Sequence, residues 1–461
     1  MDGPALEAVA YLLGRIDYER MISVPYCIHE YKLDRMRELL ARLGNPQDRL
    51  SIVHVGGTKG KGSTSAMIAG ILTAAGLKTG LFTSPHLDRV EERLAIDGLP
   101  CPTPRLAELV ADLRGVVDVM DAEAARDGQG SGPTYFELTT ALALMHFATA
   151  NVDAAVLEVG MGGRLDSTNV CNTQLSVITS ISLDHTQQLG DTEEKIAREK
   201  AGIIKPGVPV ISGVCHEGAR RVIHEVAAKR GSPVLQLGAD FDFEYHAAIA
   251  LESPGLCPGV LFAAIVPSID FRNGATQVNG LTLAMLGRHQ GANAAVAIAA
   301  IQQLQRLGWP VPDDAIYRGL AAARCRARVE LIGRQPSMVV DAAHNVASIA
   351  ALLATLSESF KARRRRLVFA TSRDKDARGM LRLLLSAFDE VTLTRYQENP
   401  RGMPAEELDV LARELGSTHH RVAPDPTAAW RSATAAAEPD DLIVATGSFF
   451  IAAEVRRLVV Q

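Results

Sequence analysis

The sequence predicts an α/β protein of two domains, each built on a largely parallel sheet. Three observations carry this. Short apolar runs alternate with helix-forming stretches along most of the chain, as buried parallel strands and their crossover helices do. The first run, Ile52-Val53-His54-Val55, leads straight into Gly56-Gly57-Thr58-Lys59-Gly60-Lys61-Gly62-Ser63-Thr64, a turn of P-loop type. The alternation lapses once and then begins again, in a chain of 461 residues that exceeds one ordinary core.

The elements follow in order. A helix over residues 64–75 stops at Gly76, a helix-ending residue. Strands are expected at 79–83, 152–159, 175–181 and 208–212, with helices at 136–150 and 192–203 between them. Residues 122–132 carry Gly128, Gly130 and Gly132 and read as a surface loop. From 239 to 283 the helices give way to short alternating pieces, which implies a small antiparallel addition. An alanine-rich helix over 293–307 is broken by Gly308-Trp309-Pro310-Val311-Pro312. A second α/β series then runs through strands at 338–340, 367–370, 391–394 and 442–446. The domain boundary is placed near residue 322, give or take about ten residues.

Bulk properties exclude several classes. A hydrophobic share of 47% and a charged share of 22% are those of a globular chain. A net charge of −5 argues against a nucleic-acid coat. The one basic cluster, Arg363-Arg364-Arg365-Arg366, reads as a solvated helix end leading into a strand. No signal peptide and no bilayer-length apolar run are evident, so neither export nor a membrane is expected. Cys27, Cys101, Cys171, Cys215, Cys257 and Cys325 are scattered without a close pair, as reduced thiols of a cytoplasmic protein would be.

The glycine turn carries the chemistry. Glycines let backbone approach a polyphosphate, and the helix start behind them offers unpaired N–H groups. Lys61 adds charge, and the hydroxyls of Ser63 and Thr64 can reach Mg²⁺. The spacing departs from the common pattern, because Gly62 separates Lys61 from Ser63. A ligand-free strand-to-helix turn is the alternative. Glu158 ends an apolar run before Gly160-Met161-Gly162-Gly163, a natural place for a Mg²⁺ ligand or for an ion-paired structural glutamate. Asp184-His185 ends the next run; hard cations favour oxygen, so His185 reads by its own chemistry as structural. Lys200 reads as a surface lysine at a helix end. Asp341 suits a ribose hydroxyl or a helix N-cap, and His344 beside it can stack on a base.

Together these residues resemble the folylpolyglutamate synthase/dihydrofolate synthase family, within the Mur ligase superfamily. The resemblance covers nearly the whole chain, with its blocks in family order. They are the glycine loop, Thr83-Ser84-Pro85-His86-Leu87, Thr134-Tyr135-Phe136-Glu137, residues 158–169, Leu183-Asp184-His185, and Glu199-Lys200-Ala201-Gly202-Ile203. His289-Gln290-Gly291-Ala292-Asn293-Ala294, residues 341–345, Asp374-Lys375-Asp376 and Thr446-Gly447-Ser448 complete them. The resemblance implies an N-terminal ATPase domain over 1–322 and a smaller Rossmann-like domain over 323–461. It implies ATP-dependent joining of L-glutamate to a folate or dihydropteroate carboxylate through an acyl phosphate. Small molecules would be the partners of a monomeric enzyme.

Residue roles follow from the same resemblance. Thr58, Gly60, Lys61, Gly62, Ser63, Thr64, Asn293, Arg328, Asp341 and His344 would contact ATP. Ser63, Ser84 and Glu158 would serve a first Mg²⁺, and Glu158 with His185 a second. Lys200 matches a carbamylated lysine, and Lys61, Glu158, His185 and Lys200 form the catalytic set. Thr134, Phe136, Glu137, Asp166 and Ser167 match the pterin-side pocket, where Phe136 can stack on the ring. Three positions depart from the family. Lys59 stands where Asn is usual, Arg326-Ala327 replace Pro-Gly before Arg328, and Ala342 replaces Gly after Asp341. The rival readings are a Mur-superfamily ligase for another acid and a nucleotide-binding protein without ligase chemistry.

Overall fold

A computed structural model of the chain describes residues 3–17, 33–126, 132–248, 267–274 and 276–460. The first sheet contains β1 (Ile52–Gly56), β2 (Thr79–Phe82), β3 (Leu94–Ile96), β4 (Ala154–Glu158), β5 (Leu175–Ile178), β6 (Val210–Ser212) and β7 (Val234–Gln236). Their order is β3-β2-β4-β1-β5-β6-β7, and only β3 runs antiparallel to its neighbour. β1, β4 and β5 are buried along their whole length, so continuous apolar runs rather than alternation mark them in sequence. The parallel register sets Val55 beside Glu158 and Gly56 beside Ile178. Everything that follows these strands therefore emerges at one end of the sheet, where α/β proteins bind ligands.

The antiparallel addition forms from β8 (Phe241–His246), β9 (Ser268–Asn273) and β10 (Thr276–Thr282). The alanine-rich helix Arg288–Arg306 packs between this small sheet and the first one. Ala294, Ala295, Ala297, Ala299 and Ala300 join one core with Val53, Ile68, Phe271 and Leu281. A helix covered all round needs such small side chains to let both layers approach. It starts ahead of the expected residue 293 because Arg288, His289 and Gln290 are polar and hide its first turn from the apolar pattern. Gly70 and Gly319 allow helices Lys61–Ala74 and Asp313–Ala322 to touch: a Cβ at Gly319 would collide with the backbone of Ile71.

The last sheet contains β11 (Glu330–Gly333), β12 (Ser337–Val340), β13 (Arg365–Phe369), β14 (Glu390–Leu393), β15 (His420–Val422) and β16 (Leu442–Thr446), in the order β11-β12-β16-β13-β14-β15. The short edge strands β11 and β15 were not among the expected ones, since neither is an apolar run.

Two expectations are corrected here. Helix Thr103–Arg126 continues through the first residues of the expected 122–132 loop; residues 127–131 lie outside the described ones. The arginine run is not a solvated helix end. Arg365 and Arg366 belong to β13, and Arg366 is 3% exposed, with its guanidinium 3.1 Å from Asp441 and 2.6 Å from Glu390. No helix among the described residues is long and apolar enough to cross a membrane. Asp441→Ala leaves the buried Arg366 charge partly uncompensated. Its expected cost is about 3–5 kcal/mol, read as a lowered unfolding midpoint in denaturant.

Candidate active site

The glycine loop leaves β1 and turns into helix Lys61–Ala74. Two of its glycines lie against side chains from distant elements. Gly60 sits at φ +83°, and a Cβ there would collide with the Asn293 amide, which Gln290 holds at 3.0 Å. Gly62 lies against the carboxylate at the end of β4: a Cβ would stand 3.4 Å from Oε2 of Glu158. The glycine that departs from the common P-loop spacing thus lies beside an acidic neighbour, at a distance a Cβ would also accept. Thr58 is committed elsewhere, its N–H to Ser180 O at 2.7 Å and its hydroxyl paired with the Ser182 backbone. These contacts shape the loop.

Three lysines enter this crevice with different fates. Lys61 has no hydrogen bond or ion pair among the described residues, so its ammonium is uncommitted. Lys200 is 4% exposed and donates to Gly57 O at 2.8 Å. Burial, with Lys61 nearby, pushes its amine well below the ordinary lysine range. It is the reverse of the surface lysine that its charged helix suggests. Lys59 reaches out of the loop, 2.7 Å from Asp184 Oδ2 and 2.7 Å from His344 Nε2.

Glu158 is buried, and burial pushes its carboxyl up while Lys61 and the Ser84 N–H oppose the shift. That N–H lies 3.2 Å from Oε2. The Ser63 and Thr64 hydroxyls follow on the facing helical turn, and Thr64 Oγ1 is buried without a hydrogen-bond partner among the described residues. One carboxylate with hydroxyls and phosphate oxygens is a donor set that fits Mg²⁺. His185 lies after β5, at the start of the short helix Thr186–Leu189. It is exposed at φ 49°, and no three His, Cys, Asp or Glu residues cluster around a metal position among the described residues.

The linker supplies Arg328, whose guanidinium lies over Phe449 at 5.6 Å from the ring centroid. Its neighbours Ala327 (φ 53°) and Val329 (φ 47°) hold left-handed conformations, which a β-branched residue rarely adopts. Ala327 therefore keeps the backbone shape that a glycine would take without strain. Asp341 pins this strained turn, accepting from Val329 N and Ala343 N at 2.8 Å each. It is not a helix N-cap; Asn345 caps the helix that follows.

The pterin-side residues divide in the same way. Thr134 and Glu137 form a capping box on helix Tyr135–Thr149, and Glu137 also binds the Arg35 guanidinium at 2.9 Å. Their polar atoms are committed to holding the helix start. Phe136, between them, packs on Gly160 and lies 5.9 Å from the Phe82 ring. Asp166 accepts from Met161 N and Thr168 N at 3.0 Å each, which folds the glycine-rich turn after Glu158. Ser167 is partly exposed.

Residues that the sequence left without a role also meet here. Lys375 lies 3.1 Å from Asp184 Oδ1. Asp88, in the loop after Ser84, lies 3.5 Å from Arg456 and 3.1 Å from Arg457, while Arg326 reaches Glu92 at 3.2 Å. Lys375 sits within one of the matched blocks; no local pattern marks Asp88 or the two arginines. A crevice with an uncommitted lysine, a buried carboxylate and closely approachable backbone can hold a nucleoside polyphosphate. Gly60→Ala adds a Cβ at a left-handed position against Asn293, so nucleotide affinity should fall roughly tenfold. Calorimetric titration with ATP checks this, and unchanged affinity would place the nucleotide elsewhere.

Comparisons with known proteins agree with this geometry. A model described as "Mur ligase middle domain" matches residues 103–301, and one described as "Mur ligase, glutamate ligase domain" matches 327–449. The dihydrofolate synthase/folylpolyglutamate synthase of Bacillus subtilis is 32% identical over 92% of this chain and 94% of its own length. That of Escherichia coli is 32% identical over 93% and 91%. Mycobacterium tuberculosis folylpolyglutamate synthase, solved with ADP and AMPPCP, superposes with a TM-score of 0.87 at 31% identity, over 99% of this chain and 98% of that one. With this coverage, the chain belongs to the folylpolyglutamate synthase/dihydrofolate synthase family of Mur ligases.

Proposed function

We propose that this protein is an ATP-dependent carboxylate–amine ligase that joins L-glutamate to folate or dihydropteroate. The observation that carries it is the pairing of an uncommitted Lys61 with a buried Glu158 across Gly62, in a member of this family. A carboxylate is a poor acyl donor. Its attack on the γ-phosphate of ATP gives an acyl phosphate and ADP. The glutamate amine then attacks the acyl carbon, loses a proton, and displaces phosphate.

The chain's own residues do this by positioning and charge. Lys61 and the N–H groups of the helix start neutralise the β,γ-phosphates. Asn293 and Arg328 flank the loop from the alanine-rich helix and the linker. Asp341 and His344 meet the nucleoside side from the second domain. Phe136, oriented by the cap of Thr134 and Glu137, offers an aromatic face to the pterin, with Asp166 shaping the adjacent turn and Ser167 open to it. Glu158, Ser84 and Ser63 would hold Mg²⁺, which supplies charge to the phosphate oxygens. Burial shifts Lys200 toward the neutral amine, the form that reacts with CO₂; carbamylation would release a proton and turn it into an anion beside the loop. The enzyme acts as a monomer in the cytoplasm on this reading.

Glutamate-dependent ADP release with dihydropteroate or tetrahydrofolate tests the activity; no release with either would refute it. EDTA should abolish turnover and added Mg²⁺ restore it. Lys200→Ala should keep its unfolding midpoint and lose about 10–100-fold in kcat. A carbamate carbon signal after ¹³C-bicarbonate labelling, absent from that variant, checks the modification itself.

A further inference from the structure

The cation at residue 59 has a definite place in the fold. Its backbone is fixed to the chain after β5: Lys59 N donates to Ser180 Oγ at 3.1 Å, and its carbonyl accepts from Thr179 Oγ1 at 2.6 Å. Its side chain then leaves the phosphate loop and crosses to the second domain. The ammonium donates to Asp184 Oδ2 and to His344 Nε2, each at 2.7 Å. The His344 ring can accept because its other nitrogen, Nδ1, donates to Ala342 O at 2.8 Å. Lys375, also from the second domain, takes the remaining oxygen of Asp184.

The Asp184 side chain is only 8% exposed, so water screens these contacts little. One first-domain carboxylate is thus shared by an ammonium from its own domain and one from the other. Removing either ammonium leaves the rest of the group short of a buried partner, which is what makes such pairs costly to break. Lys61, two residues on, takes no part.

We propose that Lys59 is a positioning residue, a latch that holds the two domains together across the nucleotide crevice before any ligand binds. This rests on the ligase reading for its kinetic consequence but not for its structural one. When the latch is lost, ligand-free molecules populate open arrangements, and ligands bound between the domains must close them. Apparent affinities then fall by the fraction still closed, while the saturated, closed complex turns over as before. The Asp88 contacts with Arg456 and Arg457 remain, so the effect is a shift in population.

Lys59→Asn shortens the side chain so that it cannot span the crevice. Small-angle scattering of the ligand-free variant should show a larger radius of gyration than wild type, returning to the wild-type value with an ATP analogue and Mg²⁺. KM for ATP and for glutamate should rise together, by about tenfold, with kcat within twofold. Lys59→Arg, which keeps the charge and reach, should restore both readouts. Lys375→Met, attacking the latch from the other domain, should reproduce the scattering change and serves if Lys59→Asn fails to fold. Superimposable scattering of wild type and variants overturns the latch. So does a loss of kcat with unchanged scattering, which would assign Lys59 to the phosphates. An absence of ligase activity in the wild type leaves the scattering test intact.

Discussion

The site depends on the placement of β1 between β4 and β5. Parallel pairing forces three chain segments to leave the sheet at the same edge and level: the glycine loop, Glu158 with its glycine-rich sequel, and the segment through Asp184. Residues about a hundred positions apart become neighbours within a few ångströms. The burial of all three strands makes a one-residue slip costly, so the register is held by the core and the chemistry inherits its precision.

Electrostatics then sorts like residues into unlike roles. Lys61, Lys59 and Lys200 share one crevice, yet one is free, one is spent across the domain boundary and one is buried with its amine pushed below the ordinary lysine range. The differences come from depth and from what each side chain meets. The linker shows a similar economy of means. Arg328 is presented by two residues in left-handed conformations: the Asp341 carboxylate holds Val329 and the Glu330 carboxylate holds Ala327. Backbone strain at such a point costs of order 1–3 kcal/mol per residue and persists only where the surroundings over-determine it.

Much of the fold was legible because buried parallel strands leave long-lived local marks. Apolar runs located β1, β4, β5, β13 and β16, and the loss of helix pattern located the antiparallel addition. Edge strands β11 and β15 were not legible, since a strand with a wet face need not be apolar. Arg366 misled for the opposite reason. Charge density suggests solvent, but Glu390 on the adjacent β14 and Asp441 just before β16 pair with it in the fold. Thr134 and Glu137 form a capping box, a local role that their spacing also encodes.

By itself the sequence determined the order of the elements, the polyphosphate character of the glycine loop and the family. These rest on short-range signals: periodicity, glycine placement and ordered blocks. Only the tertiary structure decided what individual side chains can do. It set Gly62 beside Glu158, depressed the Lys200 amine by burial, and carried the Lys59 ammonium out of the loop to His344. Each of these depends on a partner far away in the chain, and a side chain's charge state and reach are set by its neighbours in space.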